Sequence, residues 1–172
     1  RTLPNRIKIS EPERTIEKRV TEYDSNIQSP MIALMYKTPS MRDKDALVLD
    51  VISTILSNGN SSRLQKKMVD DKKKALQVFS FNRPLVEYSV YTIGAIPLGE
   101  NSLDDLIVEM DEEINTLQTE LISDEDLQKV RNKFENRFVS SNSSIQGIAS
   151  SLASNYMLIG DTDRINSELE LV

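Results

Sequence analysis

Four short segments of the chain have the pattern of β-strands and fall into two pairs. In residues 15–23, Ile16 and Val20 are separated by polar and charged residues, which is typical of a half-buried strand. The second segment, residues 31–36, is continuously apolar, which predicts a central strand. Turn-forming residues at positions 82–84 separate the other two predicted strands, residues 75–81 and 86–96.

Helical spacing of apolar residues predicts four helices between and after these strands. The first begins near Asp43 and ends at Gly59, and Ser61 is placed to cap a short second helix with Leu64 and Met68 inward. Ser102 and Ser123 each have an aspartate three residues later, the arrangement that begins a helix. The stripe after Ser102 consists of Leu103, Leu106, Ile107, Met110, Ile114 and Leu117, and the helix after Ser123 turns Leu127, Val130, Phe134 and Phe138 inward.

The serine-rich residues 140–144 lie within an otherwise helical pattern. Ile145, Ile148, Leu152 and Tyr156 continue the helical spacing beyond them. One long helix with an exposed serine-rich middle is the favoured interpretation, and a flexible linker is the alternative.

The order of these elements, β-β-α-α-β-β-α-α, predicts an α+β fold. We expect an antiparallel or mixed sheet with helices packed on one face, which leaves the other face free for another domain. Residues 1–14 are polar and contain two prolines, so they are interpreted as a linker. Residues 15–172 then form a single lobe, and both ends of the chain predict a piece of a larger protein.

Composition removes most catalytic chemistry. The 172 residues include no histidine and no cysteine, so the chain lacks an imidazole base, a thiolate nucleophile and the usual zinc ligands. Ser61 and Ser62 accordingly have no partner base. A net charge of −6 argues against nucleic-acid binding, and no apolar run approaches the roughly 18 residues of a membrane span.

Two charged groups of residues are interpreted as solvated surface. Six carboxylates lie mostly opposite the apolar stripe of their predicted helix, which favours an exposed helix face over a metal site. They are Asp104, Asp105, Glu109, Asp111, Glu112 and Glu113. The three lysines at positions 72–74 are expected to form a polar connection before a strand.

The segment from Leu56 to Leu64 reads Leu-Ser-Asn-Gly-Asn-Ser-Ser-Arg-Leu and continues to Ala75-Leu76-Gln77-Val78. It resembles the second, non-catalytic domain of insulinase/pitrilysin-type zinc peptidases, the mitochondrial-processing-peptidase-like proteins, and is closest to bacterial members. The resemblance extends over nearly all of the chain. It implies a metallopeptidase lobe with a ferredoxin-like arrangement and no catalytic or metal-binding residue of its own.

The resemblance also implies a partner. A zinc-bearing N-terminal domain of the same protein would carry an inverted His-x-x-Glu-His motif, which makes the parent protein a zinc-dependent metalloendopeptidase. A second peptidase-like subunit often supplies an arginine and a tyrosine, seven residues apart, that contact the bound peptide. Those substrate-binding positions are Val69 and Leu76 here, and neither side chain can donate a hydrogen bond. Arg63 is interpreted as a surface or capping residue.

Two functions follow as hypotheses. In the first, the chain forms one wall of a peptide-binding chamber and packs against the zinc-bearing domain, with no activity alone. In the second, it is a degenerate assembly domain with no peptide contact. A His-x-x-Glu-His motif about 150 to 200 residues before Arg1 would favour the first. Resemblance to bacterial members points to the periplasm or envelope, whereas the residues themselves do not determine a compartment.

Overall fold

The computed structural model describes residues 12–167, and these residues contain a three-stranded antiparallel sheet. Its strands are β1 (Ile32–Thr38), β2 (Ala75–Arg83) and β3 (Ser89–Pro97), in the spatial order β1-β3-β2. The fold is therefore α+β with an antiparallel sheet, which confirms the predicted class.

Five α-helices and two π-helical segments accompany the sheet in the described part of the chain. The α-helices are α1 (Asp45–Ser57), α2 (Leu103–Thr119), α3 (Asp124–Ser141), α4 (Ile145–Ser154) and α5 (Arg164–Ser167). The π-helical segments are Gln65–Asp71, between α1 and β2, and Asn155–Ile159, directly after α4. Among residues 12–167, none of these helices is both long and apolar enough to cross a lipid bilayer.

The core lies between one face of the sheet and the helices. Ile93 and Ala95 of β3 are fully buried against Leu106 and Met110 of α2 and against Met68 of the first π-helix. Burying a side chain of this size stabilises a fold by about 1.5–3 kcal/mol, so this cluster dominates the stability of the lobe. A smaller cluster of Ile55, Val130 and Phe134 packs α3 onto α1.

The predicted starts of α2 and α3 are confirmed at atomic detail. The Ser102 hydroxyl accepts a hydrogen bond from the Asp105 backbone N–H at 3.0 Å, and Ser123 accepts one from Asp126 at 3.1 Å. Each cap satisfies a backbone donor that the first turn leaves free. The apolar stripe of α2 faces the core as its spacing predicts, because Leu106 and Met110 are fully buried.

Two strand predictions are wrong. Residues 15–23 form no strand and are exposed, because alternation alone does not supply a neighbouring strand for their backbone groups. The segment around residues 31–36 is a strand, but it lies at the edge of the sheet, where Met35 is 70% exposed. The central strand is β3. The predicted linker at residues 1–14 falls largely outside the described residues, as do residues 168–172.

Two helix predictions are also corrected. The long helix through residues 140–144 breaks, because Ser144 accepts a hydrogen bond from the Gly147 N–H at 3.0 Å and starts α4 as a new helix. The Asn142 amide donates to the Phe138 carbonyl at 3.0 Å and closes the end of α3. The predicted cap at Ser61 is wrong, because the segment Gln65–Asp71 is π-helical and begins without a side-chain cap.

Candidate functional site

Among residues 12–167, the helices pack on one face of the sheet and leave the other face without a helix. Strand register places Met35 of β1 and Phe81 of β2 on either side of Thr92 of β3, and the next row brings Phe79 beside Gly94. Side chains alternate along strands, so these residues point away from the face that carries Ile93. We call the residues Met35, Phe79, Phe81, Thr92 and Gly94 the open sheet face.

The open sheet face is mostly apolar and is exposed at its outer strands, whereas Thr92 and Gly94 of the central strand are buried. Phe79 and Phe81 stack with ring centroids 6.3 Å apart. Gly94 provides the space for this arrangement, because a Cβ at that position would overlap the Phe79 ring and the Ile32 carbonyl oxygen. Phe81 and Met35 remain 48% and 70% exposed. Exposed apolar groups arranged in rows are typical of a surface that contacts another molecule or domain.

A basic end borders the open sheet face. Lys37 and Arg83 flank Val90 in the row beyond Met35 and Phe81. The Lys37 ammonium lies 3.7 Å from the centroid of the Tyr88 ring, in the geometry of a cation–π contact. The surface therefore combines an apolar centre with positive charge at one end, a combination that suits an extended peptide with apolar and acidic side chains.

The acidic cluster of α2 is only partly solvated, which corrects the sequence-based interpretation. Glu109 is 3% exposed, and Lys72 and Lys74 donate hydrogen bonds to its two oxygens at 2.6 and 2.7 Å. Burial alone would raise the pKa of the Glu109 carboxyl. The hydrogen bonds from the two lysines outweigh it and lower that pKa to about 2.

A third lysine extends this network to the neighbouring carboxylates. The Lys67 ammonium lies 2.8 Å from Glu112 and 3.0 Å from Glu113. Burial would lower the pKa of Lys67, but these contacts raise it well above its ordinary value. Lysine ammonium groups thus neutralise Glu109, Glu112 and Glu113, and within residues 12–167 no group of carboxylates converges on a metal position.

The two positions to which the resemblance assigns the family's arginine and tyrosine lie in different surroundings. Val69 packs against the core from the first π-helix, whereas Leu76 is 59% exposed at the start of β2. Neither offers a polar group to a peptide. Arg63 pairs with Asp126 of α3 at 3.6 Å, and the hydroxyl of Ser62 is buried with no hydrogen-bond partner among the described residues.

The fold and the exposed sheet face define an α+β lobe, and comparison with known proteins identifies its family. The family described as the peptidase M16 inactive domain matches residues 3–134. The chain belongs to this family. The resemblance inferred from the residues around Leu56–Leu64 is thereby confirmed.

Individual relatives agree with this assignment. The chain is 35% identical over 83 residues to zinc protease PqqE of Helicobacter pylori, an alignment that covers 48% of this chain and 19% of that protein. The structure of a protease from Helicobacter pylori superposes with a TM-score of 0.77 and 28% identity, over 86% of this chain and 36% of that one. The chain therefore spans about a fifth and about a third of these relatives.

A third comparison concerns the fold alone. The inactive peptidase domain of a Bordetella parapertussis protein superposes with a TM-score of 0.71 at 22% identity. That alignment covers 83% of this chain and 77% of the Bordetella chain. The same fold is thus found in a structure whose chain aligns with this one over most of both lengths.

Sequence reasoning anticipated an uncovered sheet face but missed the residues that form it. The signal was present, because Phe79 and Phe81 occupy alternate positions of a predicted strand. The row of Met35, Thr92 and Phe81 depends on the strand order, which no local pattern encodes.

Proposed function

We propose that this chain is the non-catalytic lobe of a zinc metallopeptidase and that its open sheet face forms one wall of the chamber that holds the peptide. Zinc and the catalytic groups then belong to another domain of the parent protein. The observation that carries the proposal is the exposed apolar row of Met35 and Phe81 across Thr92, on the sheet face opposite the helices.

Two further properties of the chain support a role as a wall of the peptide-binding chamber and not as a catalytic site. The chain contains no histidine or cysteine, and its buried carboxylate Glu109 is neutralised by lysines. The chain therefore has no ligand set that fits catalytic zinc. A largely apolar wall with few polar groups is typical of sites that bind extended chains with broad specificity.

The proposal is tested in the full-length parent protein by placing a charge on the open sheet face. We expect Phe81→Asp and Met35→Asp each to raise KM for a peptide substrate about tenfold, because each removes roughly 1.4 kcal/mol of apolar contact. The kcat value and the bound zinc should not change, since neither residue touches the reacting atoms.

Val108→Asp is the matched control. Val108 is a similarly exposed aliphatic residue, 56% exposed, but it lies on α2, away from the open sheet face. Its substitution should leave KM within about twofold of the wild-type value, as expected for a surface site without a partner. Unchanged KM in both open-face variants would contradict the proposal.

The second candidate function is an assembly domain with no peptide contact. Val69 and Leu76 favour it, because the positions that contact peptide elsewhere in the family carry no hydrogen-bond donor here. The two functions predict different parent proteins. A parent without a His-x-x-Glu-His motif upstream of this chain would support the assembly domain and exclude the chamber wall.

A further inference from the structure

Helix α4 has the reverse of the usual surface orientation. Ser150, Ser151 and Ser154 line a cleft of about 470 Å³ between α4, α3 and α1, so the serine side of the helix faces the lobe. The opposite side carries Ile145, which is 90% exposed, and Tyr156, which is 67% exposed, follows in the π-helical segment directly after α4. A helix on the surface of a self-sufficient domain normally turns its apolar side inward.

The exposed apolar residues form one continuous stripe. Ile145, Ile148, Leu152 and Tyr156 follow one another at intervals of three, four and four residues, which is the repeat of a single helical face. All four are exposed, and no side chain of α4 is buried within the described structure. We call these four residues the α4 stripe.

Charge indicates what kind of surface the α4 stripe contacts. The segment from Phe138 to Gly160 contains no Asp, Glu, Lys or Arg, although these residues make up 28% of the chain. A helix that lies on a membrane usually relies on lysine and arginine to attract anionic lipids, and this chain has a net charge of −6. An uncharged protein surface is therefore the better match.

Size indicates that this partner is covalently tethered. Twelve helical residues make a stripe about 18 Å long and about 10 Å wide, on the order of 200 Å². A stable complex of separate molecules buries about 800 Å² on each partner. A stripe this small is occupied only when the partner is held at a high effective concentration, as it is within one polypeptide.

The relatives have room for such a tethered partner, because this chain covers only 36% of the Helicobacter pylori protease. We propose that the α4 stripe docks against an uncharged apolar surface of the zinc-bearing lobe of the same polypeptide. The proposal rests on the proposed function only in requiring that this lobe exists. It concerns the helix side of the fold, whereas the proposed chamber wall lies on the sheet side.

Docking also accounts for the weak attachment of α4 to its own lobe. The segment after the helix is held by the Arg42 Nε, which donates to the Leu158 carbonyl at 2.8 Å. The cleft beneath the helix is lined by Asp50, whose pKa is raised by burial, and by Arg137 at 4.0 Å from it. Polar groups line the cleft together with Phe134 and Phe138. An unfilled cleft contributes little packing energy, so contacts on the outer side are needed to hold the helix firmly.

The test measures whether Leu152 is covered in the full-length protein. This chain has no cysteine, so Leu152→Cys and Val108→Cys each introduce a single thiol into it, in a parent freed of any other cysteine. Each variant is labelled with N-ethylmaleimide. The labelling rate of the thiol in the folded protein is divided by its labelling rate in urea, where the protein is unfolded. We expect L152C to react at least about tenfold more slowly than V108C, as for a site that opens only rarely.

A second substitution separates docking from local burial. Ile148→Asp places a charge in the α4 stripe, so the double variant I148D/L152C should react within about threefold of V108C because the charged stripe cannot be desolvated. Circular dichroism of each variant verifies that the helices remain formed.

Three results would overturn the proposal. They are equal labelling of L152C and V108C, protection of L152C that increases with protein concentration, and protection that appears only with phosphatidylglycerol vesicles. The second result would indicate another copy of the chain, and the third a lipid surface. None of these readouts uses peptide cleavage, so a failure here is distinct from a failure of the chamber wall.

Discussion

At the residue scale, Glu109 is the most consequential polar group in the lobe. Its buried carboxylate connects α2 to the residues before β2 through Lys72 and Lys74. Lys73 between them adopts a left-handed backbone conformation with φ of 50°, which turns the chain sharply between the two lysines. A buried carboxylate that keeps its charge in this way depends on both partners.

Glu109→Gln should therefore destabilise the lobe by about 2–4 kcal/mol, because it leaves the two lysines without a counter-charge beside a buried site. The measurement is the free energy of unfolding in urea at pH 7. Glu112→Gln is the control. Glu112 is half-exposed, so its loss should cost less than about 1 kcal/mol. Equal effects of the two substitutions would contradict this role of Glu109.

The same carboxylate predicts a dependence of stability on pH. Its pKa is about 2 in the folded lobe against 4.5 ordinarily, so the unfolded chain takes up the proton first as pH falls. The stabilisation is complete above pH 4.5 and is lost as pH falls towards 2. Wild type should lose on the order of 3 kcal/mol more than Glu109→Gln over this interval, as measured by thermal unfolding.

The ion pairs of Glu109 with Lys72 and Lys74 cannot be predicted from the residues near each of them in the sequence. The sequence places Glu109 in an acidic helix face and the lysines in a polar turn, which predicts that both groups are solvated. Glu109 and Lys72 are 37 residues apart, and they meet only because the first π-helix and α2 pack on the same sheet face. Helical spacing describes which side of α2 carries Glu109 but not what lies opposite that side.

At the scale of elements, the helix starts were the most predictable features. Ser102 and Ser123 cap their helices as expected, because a cap is a contact between residues three apart and needs no tertiary partner. The break before α4 has the same local origin, since Ser144 caps a new helix. Serines at helix ends and serines on an exposed helix face look alike in a sequence, so the spacing predicts one long helix where the structure has two.

Within the sheet, Gly94 is the position that cannot carry a side chain. Gly94→Ala should destabilise the lobe by about 2–4 kcal/mol, because the new methyl group overlaps the Phe79 ring and the Ile32 carbonyl. The unfolding midpoint in urea measures this effect. Gly99→Ala is the control, because a Cβ there meets no atom within 4 Å and the change costs only its left-handed backbone, about 1 kcal/mol. A smaller effect at Gly94 than at Gly99 would refute the close packing of Phe79.

At the scale of the whole molecule, residues 12–167 leave two apolar surfaces uncovered. The open sheet face lies opposite the helices, and the α4 stripe lies beyond α3 on the helix side. A domain that worked alone would be expected to cover both. Two such surfaces on opposite sides are consistent with a lobe that contacts a substrate chamber on one side and a neighbouring lobe on the other.

The purified chain by itself should bind no zinc and cleave no peptide, because it lacks imidazole and thiolate groups and its buried carboxylate is held by lysines. Elemental analysis after dialysis against micromolar zinc should find less than about 0.1 zinc per chain. A peptidase activity in the isolated chain that a chelator abolishes would disprove the assignment to a non-catalytic lobe.

The amino-acid sequence by itself determined the α+β class, the caps and inward faces of α2 and α3, the lack of imidazole and thiol groups, and the family. Each of these depends on composition or on residues a few positions apart, where backbone geometry dictates the outcome. Only the tertiary structure decided which strand is central, that residues 15–23 have no strand partner, that lysines neutralise Glu109, and which apolar residues remain exposed. These features depend on contacts between segments that are distant in the sequence. Strand order and packing bring such segments together, and no local pattern encodes either of them.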